Sequence, residues 1–212
     1  MARVPTPSAH FASRDQETHA QRLGMWIFLA TEVLLFSGLF TLYTFYRLGL
    51  AEAFNEGIRA TDKVLGSLMT LILLTSSLTA ALGVHALAHG RKRRSLALVG
   101  LTVLLGAAFL GVKLVEYREH FREGIWPGGR GAYLVEHDPG LSTFFNLYYL
   151  LTGTHGLHVL IGGGVLAWLA SAVQRDTLRY PAVALELGVL FWHFVDIVWV
   201  FLWPAFYLSG GH

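Results

Sequence analysis

Five long apolar stretches limit what this chain of 212 residues can fold into. A helix needs about 20 largely apolar residues to cross the hydrocarbon core of a bilayer, and each stretch is that long. Only helices and closed barrels span lipid, because every backbone N–H and C=O group there needs an internal hydrogen-bond partner. The sequence therefore predicts an all-α, polytopic membrane bundle of five transmembrane helices. The five stretches cover approximately residues 23–48, 64–88, 96–117, 141–173 and 182–208.

The composition supports a membrane-embedded chain. Hydrophobic residues make up 54% of the sequence, and Asp, Glu, Lys and Arg make up only 14%, whereas a soluble domain carries about 25% charged residues. The net charge of +2 argues neither for nor against nucleic acid, and we expect no nucleic-acid partner. The chain has no cysteine, which excludes disulfides, iron–sulfur clusters and thiolate copper sites. A redox metal held by this chain would need histidine or carboxylate ligands.

The sequence divides into a polar N-terminal segment and one membrane domain. Residues 1–21 contain no apolar run of the kind that a secretory signal requires, so we expect this segment to be cytoplasmic. Residues 22–209 are expected to form a single five-helix membrane domain with short polar connections. The longest connection, residues 118–140, is rich in glycine and charge, and it is predicted to be an extramembrane loop.

The distribution of basic residues predicts the orientation of the chain. Cytoplasmic connections of membrane proteins carry an excess of Lys and Arg. Nine Lys and Arg residues lie in the N-terminal segment and in the connections on its side, four of them in residues 91–94, whereas six lie on the opposite side. We therefore expect the N-terminus inside the cell and the C-terminus outside.

Glu32 is an ionisable residue within the first apolar stretch, and no opposite charge lies within four residues of it. A carboxyl group in hydrocarbon must be neutral, paired with another helix or solvated in a cleft. Two interpretations stay open. Glu32 is either a neutral acid hydrogen-bonded to a neighbouring helix or a reactive carboxyl that lines a functional cleft.

Lys113 and Glu116 are three residues apart near the end of the third stretch. Residues at this spacing share a helix face, so the sequence predicts an ion pair within one helix. A structural pair near the membrane surface is the usual meaning of such a spacing.

Histidines and carboxylates recur in the last two stretches. His155 and His158 share a face of the fourth, and Glu186, His193 and Asp196 are spaced by seven and three in the fifth, so they also share a face. If the two faces meet, the imidazoles and carboxylates satisfy one another and no bare charge remains in lipid. The sequence predicts an interhelix polar network made of these five residues.

Two other classes of protein remain open at this point. His155 or His158 together with His193 could supply the two axial ligands of a haem between facing helices, which would make the chain a membrane b-type cytochrome. A small transporter is the other alternative. The six prolines lie mostly at segment ends, however, and the broken helices that are typical of many transporters are not indicated.

Three sequence blocks carry a resemblance to a known family. They are LGMWIFLATEVLLF at residues 23–36, TGTHGLHVLIG at residues 152–162 and WHFVDIVWVFL at residues 192–202, accompanied by Glu116 and Tyr117 in the third stretch. The chain resembles subunit III of haem–copper terminal oxidases, the cytochrome c oxidase subunit III family. Many members have seven spans, and this chain is similar to the five-span bacterial form that lacks the first two.

The resemblance implies a non-catalytic subunit in a hetero-oligomer of the bacterial inner membrane. In this family the haems and copper are held by subunits I and II, so no cofactor of its own is expected for this chain. Subunit III is implied to stabilise subunit I, to support proton uptake and to bind phospholipid in a cleft between two helix groups. Glu32 matches the family's carbodiimide-reactive membrane carboxyl. The equivalent subunit of a quinol oxidase or of a nitric oxide reductase is an alternative.

Overall fold

A computed structural model describes residues 13–128 and 139–209 of the chain. Residues 1–12 of the predicted N-terminal segment and residues 129–138 of the predicted loop lie outside the described residues. The described part is helical, with short connections between the helices. The helices are α1 (Arg14–Gly49), α2 (Ala51–Arg59), α3 (Lys63–Ala88), α4 (Lys92–Arg122), α5 (Pro139–Gln174) and α6 (Pro181–Trp203), and α6 continues into a π-helical turn (Pro204–Leu208).

Five of these helices are long and apolar enough to cross a membrane, namely α1, α3, α4, α5 and α6 with its π-helical turn. The predicted all-α, five-span fold class is therefore confirmed. The observed helices extend beyond several of the predicted limits. For example, α4 continues to Arg122, past the expected end of the third span at Tyr117, and thus takes up the start of the predicted loop.

Helix α1 begins at Arg14, so the second half of the predicted polar segment is part of the first transmembrane helix rather than a separate tail. The Ser13 hydroxyl accepts a hydrogen bond from the Gln16 amide at 3.2 Å, which caps one of the free N–H groups of the first turn. Acidic residues in this turn also favour a helix start, because they lie at the positive end of the helix dipole. The start of α1 is therefore set by a local capping signal, several residues before the apolar stretch of the sequence begins.

Helix α2 is a short element that hydropathy did not predict, because only short polar connections were expected between the spans. Phe54 and Ile58, four residues apart, are both fully buried. Phe54 packs against the rings of Tyr43 and Phe144 at centroid distances of 5.5 and 5.4 Å. The i, i+4 apolar pair is the sequence signal for this short amphipathic helix. The buried face of α2 packs against α5, α1 and the π-helical turn at one end of the bundle.

Helices α3, α4, α5 and α6 form a closed ring in which each packs against two neighbours, in that order and back to α3. Large aromatic side chains fill the interior of the ring. Helix α1 packs at the edge of the ring against α6 and α5, and most of its apolar surface faces outward. The fully buried large side chains are Trp192, Trp199, Tyr148, Tyr207, Phe54, Phe109, Phe144, Phe145 and Phe206, with Ile58, Met69 and Leu73.

Polar contacts attach α1 to the ring at its two ends. At the N-terminal end, the buried Glu17 carboxylate accepts a hydrogen bond from the Tyr180 hydroxyl at 3.0 Å. At the C-terminal end, the Tyr43 hydroxyl donates to the Ala205 carbonyl at 2.6 Å. Since apolar surface gains little by leaving lipid for protein, such polar contacts contribute much of the specificity of helix association.

The Trp192 side chain of α6 reaches across the ring to the backbone of α4 at Gly106. A Cβ atom at this position would lie 2.5 Å from the Cη2 atom of Trp192, so the indole fits only because the glycine has no side chain. Gly111 lies further along the same helix and has open space where its Cβ would be. Comparing alanine substitutions at the two glycines therefore distinguishes a packing requirement at Gly106 from the general effect of glycine on helix stability.

We predict that Gly106→Ala lowers the free energy of unfolding by about 1–3 kcal/mol, because the new methyl group overlaps the Trp192 ring. The matched control Gly111→Ala is expected to be neutral or slightly stabilising, since alanine favours a helix over glycine. Unfolding of the detergent-purified chain, followed by circular dichroism, measures both. Equal stability of the two variants would contradict the packing assigned to Trp192.

Candidate functional site

The most enclosed charges in the membrane region belong to Lys113 and Glu116 on α4. The Lys113 ammonium donates to Glu116 Oε2 at 2.9 Å, to the Tyr148 hydroxyl at 2.8 Å and to the Tyr207 hydroxyl at 2.8 Å. The two charged side chains are only 5% and 3% exposed. An ammonium group has three N–H donors, and all three have a partner here.

The tyrosines complete this cluster, which we call the lysine cluster (Lys113, Glu116, Tyr148 and Tyr207). The Tyr207 hydroxyl also donates to Glu116, with both carboxylate oxygens within 2.9 Å. The ring of Tyr148 faces the ammonium at 4.4 Å from its centroid, which adds a cation–π interaction. Because the π-helical turn carries Tyr207, the lysine cluster ties α4 and α5 to the C-terminal end of the chain.

Glu32 on α1 pairs with His158 on α5. Glu32 Oε2 lies 2.9 Å from His158 Nε2, and the two side chains are 16% and 12% exposed. The other ring nitrogen, Nδ1, lies 2.8 Å from the Thr154 carbonyl oxygen, which can only accept. Nδ1 therefore carries a proton, and a second proton is shared between Nε2 and the carboxyl. The pair is either a neutral acid with a neutral imidazole or a carboxylate with an imidazolium, and its net charge is zero in both forms.

A line of hydrogen bonds joins α6 to hydroxyl groups of α3. His193 Nδ1 lies 2.6 Å from the Ser77 hydroxyl oxygen, and the Trp192 indole N–H donates to the Ser76 hydroxyl at 3.1 Å. About two turns further along α6, the Trp199 indole N–H donates to the Thr70 hydroxyl at 3.0 Å. Thr70, Ser76 and Ser77 of α3 therefore act as specific partners of α6, and not only as small residues that allow close approach.

Glu186 lies at the opposite end of α6 from the lysine cluster. Its carboxylate accepts a hydrogen bond from the Arg22 guanidinium of α1 at 2.9 Å, and both side chains are about half exposed. A pair with this exposure contributes little to stability. Arg22, Glu186 and His193 line one open pocket between α1, α3 and α6, in agreement with the shared helix face expected for Glu186 and His193.

His155 and Asp196 are buried without hydrogen-bond partners among the described residues. The His155 ring lies between the rings of Phe109 and Trp199, with centroid distances of 5.6 and 5.2 Å. The Asp196 carboxyl lies close enough to the Ser77 hydroxyl to interact with it, but neither of its oxygens has a hydrogen-bond partner of good geometry.

The structure divides the five residues of the predicted interhelix network among separate partners. His158 contacts α1, His193 contacts α3 and Glu186 contacts α1. No hydrogen bond joins two of the five within the described part of the chain. The physical reason is that Glu32, Ser77 and Arg22 lie closer to these side chains than the facing histidines or carboxylates do.

The arrangement of the histidines does not favour a haem. His158 Nε2 is directed to Glu32 on α1 and His193 Nδ1 to Ser77 on α3, and the His155 ring lies among aromatic side chains. In the ranges that the structure describes, no group of three or more His, Asp or Glu side chains is placed to hold a metal ion. The ionisable side chains instead connect pairs of helices.

Comparison with known proteins decides the family. The sequence matches the family described as "Cytochrome c oxidase subunit III" over residues 10–211. The chain belongs to the cytochrome c oxidase subunit III family. The resemblance inferred from the three sequence blocks is thereby confirmed.

Curated relatives of this subunit III come from two kinds of oxidase. The chain is 34% identical to "Cytochrome c oxidase subunit 3" of Bacillus sp. (strain PS3) over 96% of its length and 93% of that protein. It is 31% identical to "Probable quinol oxidase subunit 3" of Staphylococcus haemolyticus (strain JCSC1435), over 93% of both chains. A protein of the same description from Staphylococcus aureus (strain USA300) is 30% identical over 93% of both chains.

Sequence reasoning missed several partners that the structure reveals. Tyr148 and Tyr207 complete the lysine cluster, and Ser77 contacts His193. A tyrosine on an apolar helix gives no signal of a buried charge elsewhere in the chain. For Ser77 a signal exists, since runs of hydroxylated residues on a transmembrane helix are typical of hydrogen bonds across helices.

We predict that Lys113→Met lowers the free energy of unfolding by about 3 kcal/mol or more, because it leaves Glu116 buried without an opposite charge. Adding Glu116→Gln removes that charge and is expected to restore most of the loss. Chemical unfolding of both variants in detergent micelles measures the difference. If the double variant is no more stable than the single one, the two groups are not coupled as the distances indicate.

We predict that a lipid-soluble carbodiimide modifies Glu32 before Glu116. Glu32 is more exposed, at 16% against 3%, and it shares its proton with a single imidazole, whereas Glu116 is enclosed by an ammonium and a phenol. Peptide mass spectrometry after short exposure measures the order of labelling. Faster labelling of Glu116 would show that the lysine cluster opens more readily than the Glu32–His158 pair.

Proposed function

We propose that this chain is a non-catalytic accessory subunit of a bacterial respiratory haem–copper oxidase. The family membership supports this role, and so do Glu32 and Lys113, whose largely buried side chains bond to partners on other helices. Subunits I and II are then expected to hold the haems and copper and to carry out O2 reduction with proton pumping. This chain would stabilise subunit I in the membrane and support its proton uptake.

An apolar groove between α1 and α6 is a suitable site for a phospholipid chain. It encloses about 710 Å³ and is lined mainly by aromatic and aliphatic side chains. The Glu32–His158 pair and the Tyr43–Ala205 hydrogen bond hold α1 to the ring near the two ends of this groove. An acyl chain would fill the space without competing for polar groups. The lining residues are Val33, Phe36, Ser37, Phe40, Tyr43, Thr44, Phe194, Ile197, Val198, Phe201 and Ala205.

A quinol oxidase is the second candidate for the enzyme that this chain serves. The relatives from both Staphylococcus species are described as subunits of probable quinol oxidases, at identities close to that of the cytochrome c oxidase relative. In either kind of oxidase, the electron donor is expected to interact with other subunits of the complex.

We further propose that the N-terminus faces the cytoplasm and the C-terminus faces outward. The basic run at residues 91–94 lies at the same end of the bundle as the start of α1, as the positive-inside rule requires of a cytoplasmic face. A reporter enzyme that is active only outside the membrane, fused to the C-terminus, is expected to be active. An inactive C-terminal fusion and an active N-terminal fusion would reverse the orientation.

Purification of the chain in a mild detergent tests the accessory role. We expect oxidase subunits I and II to copurify with it, together with haem in stoichiometric amount. Isolation of the chain with no haem-bearing partner, under conditions that preserve other respiratory complexes, would contradict the proposal.

We predict that Ser37→Trp displaces one tightly bound phospholipid per chain, because the indole would project into the groove. The matched control is Leu34→Trp, which places the same side chain on an outward-facing part of α1, where Leu34 is 72% exposed. Native mass spectrometry and lipid extraction measure the bound lipid. An unchanged lipid count in Ser37→Trp would show that the groove does not hold phospholipid.

A further inference from the structure

The pocket between α1, α3 and α6 is separate from the phospholipid groove and differs from it in chemistry. It encloses about 340 Å³, is open at the surface, and carries the charged side chains Arg22 and Glu186 at its mouth. His193 also lines it, two helical turns further into the membrane than Glu186. We call this pocket the vestibule. Its α3 wall contributes Ala81 and Val84, which are not ionisable.

A polar contact continues from the vestibule to the interior. His193 lines the vestibule, and its Nδ1 atom lies 2.6 Å from the Ser77 hydroxyl oxygen. The same hydroxyl is the polar neighbour of Asp196, which lies three residues beyond His193 on α6 and is only 4% exposed. Asp196 is therefore separated from the surface pocket by one imidazole and one hydroxyl.

The Asp196 carboxyl is buried without the hydrogen bonds of good geometry, among the described residues, that would make it a structural link between helices. Neither of its oxygens has a hydrogen-bond partner of good geometry in the described part of the chain, and burial of an unpartnered polar group costs about 1–3 kcal/mol on mutational scales. Ionisable residues inside a membrane are functional candidates by default, and proton relays are among their common uses.

We propose that Asp196 is a proton-exchanging carboxyl, connected to the aqueous phase at the N-terminal end of the bundle through the vestibule, His193 and Ser77. A proton from water binds His193 Nε2, and the proton on Nδ1 passes to the Ser77 oxygen. The hydroxyl proton of Ser77 moves to the Asp196 carboxylate, which becomes a neutral acid. His193 is left as the tautomer protonated on Nε2. The same transfers in reverse return the proton: Asp196 gives it to the Ser77 oxygen, the hydroxyl proton moves to Nδ1, and Nε2 releases its proton to water. No bond other than O–H and N–H bonds is formed or broken.

The route is a property of this chain alone. It involves neither the electron donor nor the phospholipid groove, and it goes beyond the stabilising role proposed above. Its charged surroundings are Arg22 on α1 and Glu186 on α6, with the hydroxyl of Ser77 as the polar group supplied by α3.

Infrared spectroscopy of the full chain in lipid nanodiscs tests the proposal. Labelling aspartate carboxyls with ¹³C marks the signal of a buried, protonated Asp196, because the other described aspartates, Asp15, Asp62 and Asp176, are exposed. In the unaltered chain we expect this carboxyl band to shift promptly after transfer from H₂O to D₂O. In Ser77→Ala we expect the shift to slow at least tenfold, since the hydroxyl link is lost.

Ser76→Ala is the matched control. The Ser76 hydroxyl bonds Trp192 instead of His193, so its loss removes an α3–α6 hydrogen bond without interrupting the route, and the exchange rate should be unchanged. Asp196→Asn confirms the assignment of the band, and the isotope label gives that assignment even if this variant does not fold. Equal exchange rates in both serine variants, or the absence of any protonated aspartate band, would overturn the proposal.

Discussion

A polar group inside a bilayer is stabilised by a partner within the protein, and this constraint determines most of the polar contacts between the helices. The cost of an unpaired charge in lipid is several kcal/mol, while apolar surfaces gain little by meeting each other there. The lysine cluster meets the requirement most completely, since every donor of Lys113 has a partner. Because those partners come from α4, α5 and the π-helical turn, satisfying one buried charge fixes the relative position of three segments.

The same requirement explains the looser position of α1. This helix is attached to the ring by polar contacts at Glu17, Glu32 and Tyr43, with apolar surface between them. The Glu32–His158 pair divides the α1 side of the bundle into two regions of different character. The region toward the C-terminal end of α1 is the apolar groove proposed for phospholipid, and the region toward its N-terminal end is the vestibule with Arg22, Glu186 and His193. One polar pair therefore separates the proposed phospholipid site from the proposed entry for protons.

Hydropathy was sufficient for the number and type of the helices, because the need to satisfy the backbone in lipid leaves few alternatives. It could not place α2, since a nine-residue amphipathic helix carries too few apolar residues to register as a span. The spacing of Lys113 and Glu116 was enough to place them together. The partners of His193 and Glu186 could not be predicted, because the rotation of each helix in the ring depends on the packing of Trp192 against Gly106 and similar contacts distant in sequence.

The central proposal is that the paired ionisable residues of this subunit III, such as Glu32 with His158, hold helices together and that the haems belong to the partner subunits. The most direct test is the visible spectrum of the chain after its separation from the other oxidase subunits. The account predicts that haem absorbance remains entirely with the partner subunits and that the separated chain shows no reduced haem band. A reduced haem band that stays with the separated chain and is lost in His193→Leu or His158→Leu would contradict it.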